Sequence, residues 1–97
     1  MDNRNYIILL YDYYSDLFND KQKQYFEDYY FNNLSLGEIS DNIKVSRNAI
    51  HKVIKNMEEK LLLYEEKLQL YSKSKIIKDI ILLVNDDNIK RKLEELL

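Results

Sequence analysis

Ninety-seven residues, 45% of them apolar and 33% charged, suffice for one small core; a chain of this length buries only roughly 60 to 65% of its unfolded surface, a shortage that a second copy would relieve. The absence of cysteine excludes a disulfide framework, a thiolate zinc site and a cysteine nucleophile. Fifteen basic and seventeen acidic residues give a net charge of −2, well short of the strongly basic total of many nucleic-acid binders.

With no proline and one glycine, Gly37, the chain lacks the residues that break helices most strongly, so an all-α fold is expected. Met1-Asp2-Asn3-Arg4-Asn5 has none of the features of an export signal. The longest apolar runs, Tyr6 to Tyr11 and Ile80 to Val84, fall far short of the ~20 residues that span a bilayer. A soluble, cytoplasmic protein without membrane insertion is the expectation.

From Tyr6 to Phe18, Ile7, Leu10, Tyr11, Tyr14, Leu17 and Phe18 recur at intervals of three and four, predicting a helix with one buried stripe. Asn19, with Gln22 three positions on, forms a capping box for a second helix from about Asp20 to Asn32. Its Tyr25, Phe26, Tyr29 and Tyr30 make a broad aromatic face that must be buried. The nine tyrosines otherwise fit the codon bias of an AT-rich genome, as do the abundant isoleucine, lysine and asparagine.

Ser35 and Glu38 form a second capping box, for a short helix that turns Leu36, Ile39 and Ile43 inward. Ser40 is small enough to let the next helix cross closely. Ile43-Lys44-Val45-Ser46 then makes a tight turn in which Val45 plugs the core and Ser46 caps the helix that follows. This completes a helix-turn-helix unit. Lys44 stands where glycine or asparagine often supplies a left-handed backbone, at a cost of ~1 kcal/mol for lysine. Gly37 gives up helix propensity and permits close approach of a neighbouring helix or of a phosphate.

In the helix opened by Ser46, Arg47, Asn48, His51, Lys52 and Lys55 are expected to face outward, while Ala49, Ile50, Val53 and Ile54 face the core. Arginine and asparagine can pair with a purine edge through two parallel hydrogen bonds, and lysines, Lys44 and Ser46 suit phosphates. A solvated helix face is the alternative. Two observations favour a reader of nucleic acid. Residues 35 to 57 carry four basic and two acidic groups, the only net-positive block of the chain. Arg47 also sits in a first turn, where the helix dipole disfavours a cation by roughly 0.3 to 1 kcal/mol and an external phosphate would reverse the penalty. The candidate DNA-binding residues are therefore Lys44, Ser46, Arg47, Asn48, His51, Lys52 and Lys55.

Ile50, Ile54, Met57, Leu61, Tyr64, Leu68 and Tyr71 continue this helix as a heptad seam. Leu61, Tyr64, Leu68 and Tyr71 are the expected dimerisation residues. Ser72-Lys73-Ser74 interrupts the pattern, and Ser74 is expected to cap a fifth helix running to about Val84. Asn85-Asp86-Asp87-Asn88 breaks it before a final helix bearing Ile89, Leu93, Leu96 and Leu97. These last two helices read as a dimerisation layer. The whole chain is expected to be one all-helical domain, with its helix-turn-helix region over residues 5 to 57.

His51 is the sole histidine, so no transition-metal site is expected. Glu58-Glu59 and Glu65-Glu66 are neighbours that point about 100° apart on a helix, which argues for solvated charge rather than paired catalytic carboxylates. Without a phosphate-cradling loop or a nucleophile beside a base, neither enzyme activity nor a cofactor is expected.

The runs Ser35-Leu36-Gly37-Glu38-Ile39-Ser40, Val45-Ser46-Arg47-Asn48-Ala49-Ile50, Glu58-Glu59-Lys60-Leu61 and Tyr64-Glu65-Glu66-Lys67-Leu68, with Gln22-Lys23-Gln24-Tyr25-Phe26 upstream, resemble the YlxM-like family of small bacterial helix-turn-helix proteins. The resemblance covers about residues 5 to 70. It implies a winged-helix-like fold similar to region four of bacterial sigma factors, duplex DNA as ligand, a homodimer, and a regulatory role connected with the signal recognition particle. An RNA- or protein-binding accessory of that particle is the second expectation and a helical scaffold the third. Lys44 and His51 depart from the family pattern.

Overall fold

A computed structural model describes residues 3–97, which form six α-helices and one 3-10 turn: α1 (Asn3–Tyr14), the turn (Ser15–Leu17), α2 (Asp20–Tyr30), α3 (Leu36–Ile43), α4 (Arg47–Leu68), α5 (Leu70–Leu83) and α6 (Asp87–Glu94). No strand occurs among the described residues, so the winged-helix likeness stops at the helices.

The helix starts follow from short-range chemistry. Asn19 Oδ1 accepts from the Gln22 amide at 2.8 Å, and Gln22 Oε1 accepts from the Asn19 amide at 2.9 Å. Ser35 and Glu38 make the same reciprocal pair, at 3.1 and 3.0 Å. Those bonds hold the exposed Glu38 carboxyl below its ordinary pKa. Ser46 Oγ accepts from the Ala49 amide at the start of α4, and Asp86 Oδ1 accepts from two amides at the start of α6. Each cap satisfies donors that a helix N-terminus otherwise leaves to water.

The predicted first helix is interrupted at its end. It stops at Tyr14, and the 3-10 turn, with three residues rather than 3.6 per turn, re-phases the stripe. Phe18 stays in the core while Leu17, expected to be buried, is 55% exposed.

Among the described residues, thirteen side chains from Ile7 to Leu61 make the core. Its centre is aromatic: Tyr11 and Tyr30 both stack on the fully buried Phe26, with ring centroids at 4.1 and 4.4 Å. The apolar stripe of α4 (Ile50, Ile54, Met57, Leu61) packs within this core, against α1, α2 and α3. Arg4 ties α1 to the C-terminal end of α2, donating to the carbonyls of Tyr29 and Tyr30 and to Asn33 Oδ1, with its guanidinium over the Tyr30 ring.

Tyrosine hydroxyls at the edge of the core close onto glutamates: Tyr11 onto Glu27, Tyr30 onto Glu58 and Tyr14 onto Glu65. Burial, followed by the bond to the carboxylate, pushes all three phenols up, Tyr14 to about 12.

The long helix ends earlier than the heptad pattern predicts. Gln69 adopts a left-handed backbone, φ 56°, and separates α4 from α5. Glu65, expected to be solvated, is buried at this elbow. Its carboxylate accepts from Tyr14 Oη at 2.6 Å, from the amides of Tyr71 and Ser72 at 3.1 and 3.0 Å, and from Ser72 Oγ at 2.7 Å. Burial pushes the Glu65 pKa up, but these bonds outweigh it and hold the carboxyl below its ordinary value. Glu65 thus caps α5 from the preceding helix, the role expected of Ser74. Ser74 instead lies inside α5, buried, donating to the Tyr71 carbonyl and sharing a hydrogen bond with Tyr13 Oη.

The described chain is elongated, 55 × 25 × 23 Å. α5 packs on α1 and α6 packs on α5.

Candidate nucleic-acid interface

The candidate reading surface is built by three local features. The capping box at Ser35 fixes the start of α3, Lys44 turns the chain, and Ser46 restarts it as α4. Lys44 has the left-handed backbone that the turn demands, φ 60° and ψ 34°, and its amide donates to the Ser40 carbonyl at 2.9 Å. The strain expected of lysine at this position is therefore present.

Lys44, Ser46, Arg47, Asn48, His51, Lys52 and Lys55 are all exposed. At 100° per residue, the five from Arg47 to Lys55 share an arc of about 140° on α4. The opposite side carries Ile50, Ile54 and Met57 into the core. Ala49 and Val53, expected to face inward, are half-buried. With Val45, Tyr25 and the start of α2 they line an open groove of about 320 Å³ beside the reading face.

Arg47 has a neighbour that sequence reasoning did not identify. Its guanidinium lies flat against Gly37 in the first turn of α3, so that a Cβ built on Gly37 would stand 2.8 Å from Nη2, 2.9 Å from Cζ and 3.1 Å from Nε. The close approach that Gly37 permits is that of a side chain from the next helix. No ion pair to Arg47 forms among the described residues, and the nearby Glu38 carboxylate accepts from the Ser35 amide.

The expected dimerisation residues are placed differently from one another. Leu61 is fully buried in the core of its own chain. Tyr64 is half-buried between the rings of Tyr14 and Phe18, at centroid distances of 5.8 and 5.9 Å, and Tyr71 packs edge-on against Tyr6 and Tyr13. Leu68 is 45% exposed. Tyr64 and Tyr71 of the seam expected to meet another chain are thus covered by α1 and by Phe18. Leu62 and Leu63 on α4 are exposed as well, and further exposed apolar side chains follow in Leu70, Ile76, Ile80, Leu82, Leu83 and Ile89, and in Leu96 and Leu97 beyond α6.

The sequence matches, over residues 1–97, the family described as "UPF0122: Putative helix-turn-helix protein, YlxM / p13 like". It belongs to the UPF0122 family. A UPF0122 protein of Oceanobacillus iheyensis is 39% identical over 100 residues, covering 99% of this chain and 95% of the relative. One from Ureaplasma urealyticum is 38% identical over 95 residues, covering 98% and 96%. One from Malacoplasma penetrans is 44% identical over 89 residues, covering 92% and 83%. Two UPF0122 relatives thus align with this chain over nearly their whole length, the elements from α1 to α6 included. The described residues of this UPF0122 chain are all-α in architecture, in keeping with the helix-turn-helix that its family description names. No helix among its described residues is long and apolar enough to cross a membrane.

Proposed function

We propose that this UPF0122 protein is a cytoplasmic, non-enzymatic regulator that binds duplex DNA through α3 and α4. The observation that carries the reading is the α4 arc itself: Arg47, Asn48, His51, Lys52 and Lys55 stand exposed at the front of a capped helix whose back is locked into the core. That is the arrangement by which a helix-turn-helix offers the first turns of its second helix to base edges. Arg47 and Asn48 are the candidates for base contact, with His51 for base or phosphate contact. Lys44, Ser46, Lys52 and Lys55 serve the phosphates. With so modest a local charge, one protomer makes few phosphate contacts and binds weakly.

A homodimer would supply the missing affinity by placing two reading helices on one duplex. Leu68 and the exposed apolar residues of α5 and α6 supply its interface. The connection with the signal recognition particle pathway rests on the YlxM-like resemblance alone. Selection of bound sequences from a mixed pool of genomic DNA and cellular RNA tests the reading. Enrichment of duplex DNA fragments is expected. Enrichment of the particle's RNA with no preference for any duplex would replace it with the second expectation, an RNA-binding accessory.

A further inference from the structure

We infer that Gly37 is a positioning residue for Arg47: by having no side chain, it gives the guanidinium a seat on the first turn of α3 and so sets where its donors stand on the reading face. This rests on the reading of α4 as the surface that meets nucleic acid, and adds a residue from the other helix of the motif.

Three observations lead to it. Glycine inside an eight-residue helix is unfavourable relative to alanine, and the negative φ of Gly37 asks for no glycine. The backbone therefore gives no reason for it. Space does: the three heavy atoms nearest to a Cβ at this position all belong to the Arg47 guanidinium, and two of them, at 2.8 and 2.9 Å, are closer than real Cβ atoms tolerate. Finally, Arg47 is exposed and has no carboxylate partner among the described residues, so packing on Gly37 is what restricts it.

An arginine loses several rotatable bonds' worth of freedom when it docks on DNA. Seating the planar guanidinium beforehand reduces that loss and fixes the direction of its fork of N–H groups, which matters at a purine edge more than at a phosphate. A methyl group at position 37 would lift the guanidinium off its seat. Because the obstructed atoms are the end of a flexible side chain, the helix would remain and the arginine would move.

The test is a thermodynamic cycle with Gly37→Ala, Arg47→Ala and the double variant, read as affinity for a labelled mixed-sequence duplex at low salt together with the thermal midpoint. Gly37→Ala should bind about five-fold more weakly, the order expected for ordering one long side chain, while its thermal midpoint stays level or rises. In the Arg47→Ala background the same change should have no effect on affinity. If Arg47→Ala weakens binding but Gly37→Ala does not, or if Gly37→Ala costs the same factor in both backgrounds, the positioning role is overturned and the DNA reading stands. If Arg47→Ala leaves duplex affinity untouched, both fall. Arg47→Lys, which leaves α3 unaltered and keeps the charge, serves as a second probe: it should bind more weakly than the wild type, and equal binding would contradict the seat.

Discussion

Glu65 shows how much one side chain can decide. A carboxylate buried at a helix junction is costly unless its oxygens are occupied, and here one tyrosine hydroxyl, one serine hydroxyl and two amides occupy them. Because its folded pKa lies below the ordinary value, Glu65 contributes stability above the usual carboxylate range, and that contribution is lost as pH falls through the lowered folded pKa. Tyr14 works in the opposite sense. Its phenol is pushed up to about 12 from 10.0, so its contribution is complete below pH 10.0 and disappears as pH climbs through about 12. Urea denaturation as a function of pH should therefore give a Glu65→Gln variant that is less stable than the wild type at neutral pH but loses less below about pH 4.3. Parallel acid limbs would show that Glu65 is not the group responsible. Tyr14→Phe leaves both Glu65 and the Leu70 amide short of a partner and should cost on the order of 1–3 kcal/mol at neutral pH.

At the scale of elements, legibility follows the range of the interaction. The caps at Asn19, Ser35 and Ser46 join residues three apart, so the sequence pattern alone locates three helix starts, while the cap at Asp86 falls within a stretch legible only as a polar break. The left-handed turn at Lys44 is legible too, because the helix-turn-helix pattern demands it. The end of α4 is not. Leu68 and Tyr71 keep the heptad spacing across the break, and nothing local marks Gln69 as left-handed. The elbow is held from elsewhere, by Tyr14 of α1 closing on Glu65, and a bond across 51 positions leaves no periodic trace. Ser74 reads as a cap because serine before an apolar run is a fair local signal, here overruled by a tertiary one. At the reading face, composition and spacing suffice to place Lys44, Ser46, Arg47, Asn48, His51, Lys52 and Lys55 outside. The Gly37–Arg47 contact joins two helices across the turn and needed the fold to be seen.

On the whole molecule, α4 links two ends with different surfaces. Over about 33 Å, at 1.5 Å per residue, it runs from the polar reading arc to the elbow beyond which α5 and α6 expose their leucines and isoleucines. Leu82 and Leu83 are 83% and 81% exposed, so neither supports the fold of its own chain. Leu82→Glu with Leu83→Glu should leave the thermal transition of a dilute sample nearly unchanged and shift sedimentation from dimer toward monomer. An intact dimer in this variant would move the interface elsewhere, and a monomeric wild type would remove it. Leu61→Glu is a poor probe of association, because Leu61 is fully buried and its replacement would unfold the chain.

The central claim, that the front of α4 meets a nucleic-acid backbone, is tested most directly by the salt dependence of duplex binding. The logarithm of affinity against the logarithm of salt concentration should fall linearly for the wild type, and in a folded Arg47→Ala, Lys52→Ala double variant its slope should be shallower by about 0.9 for each phosphate contact removed. The same affinity and the same slope in both proteins would contradict the assignment.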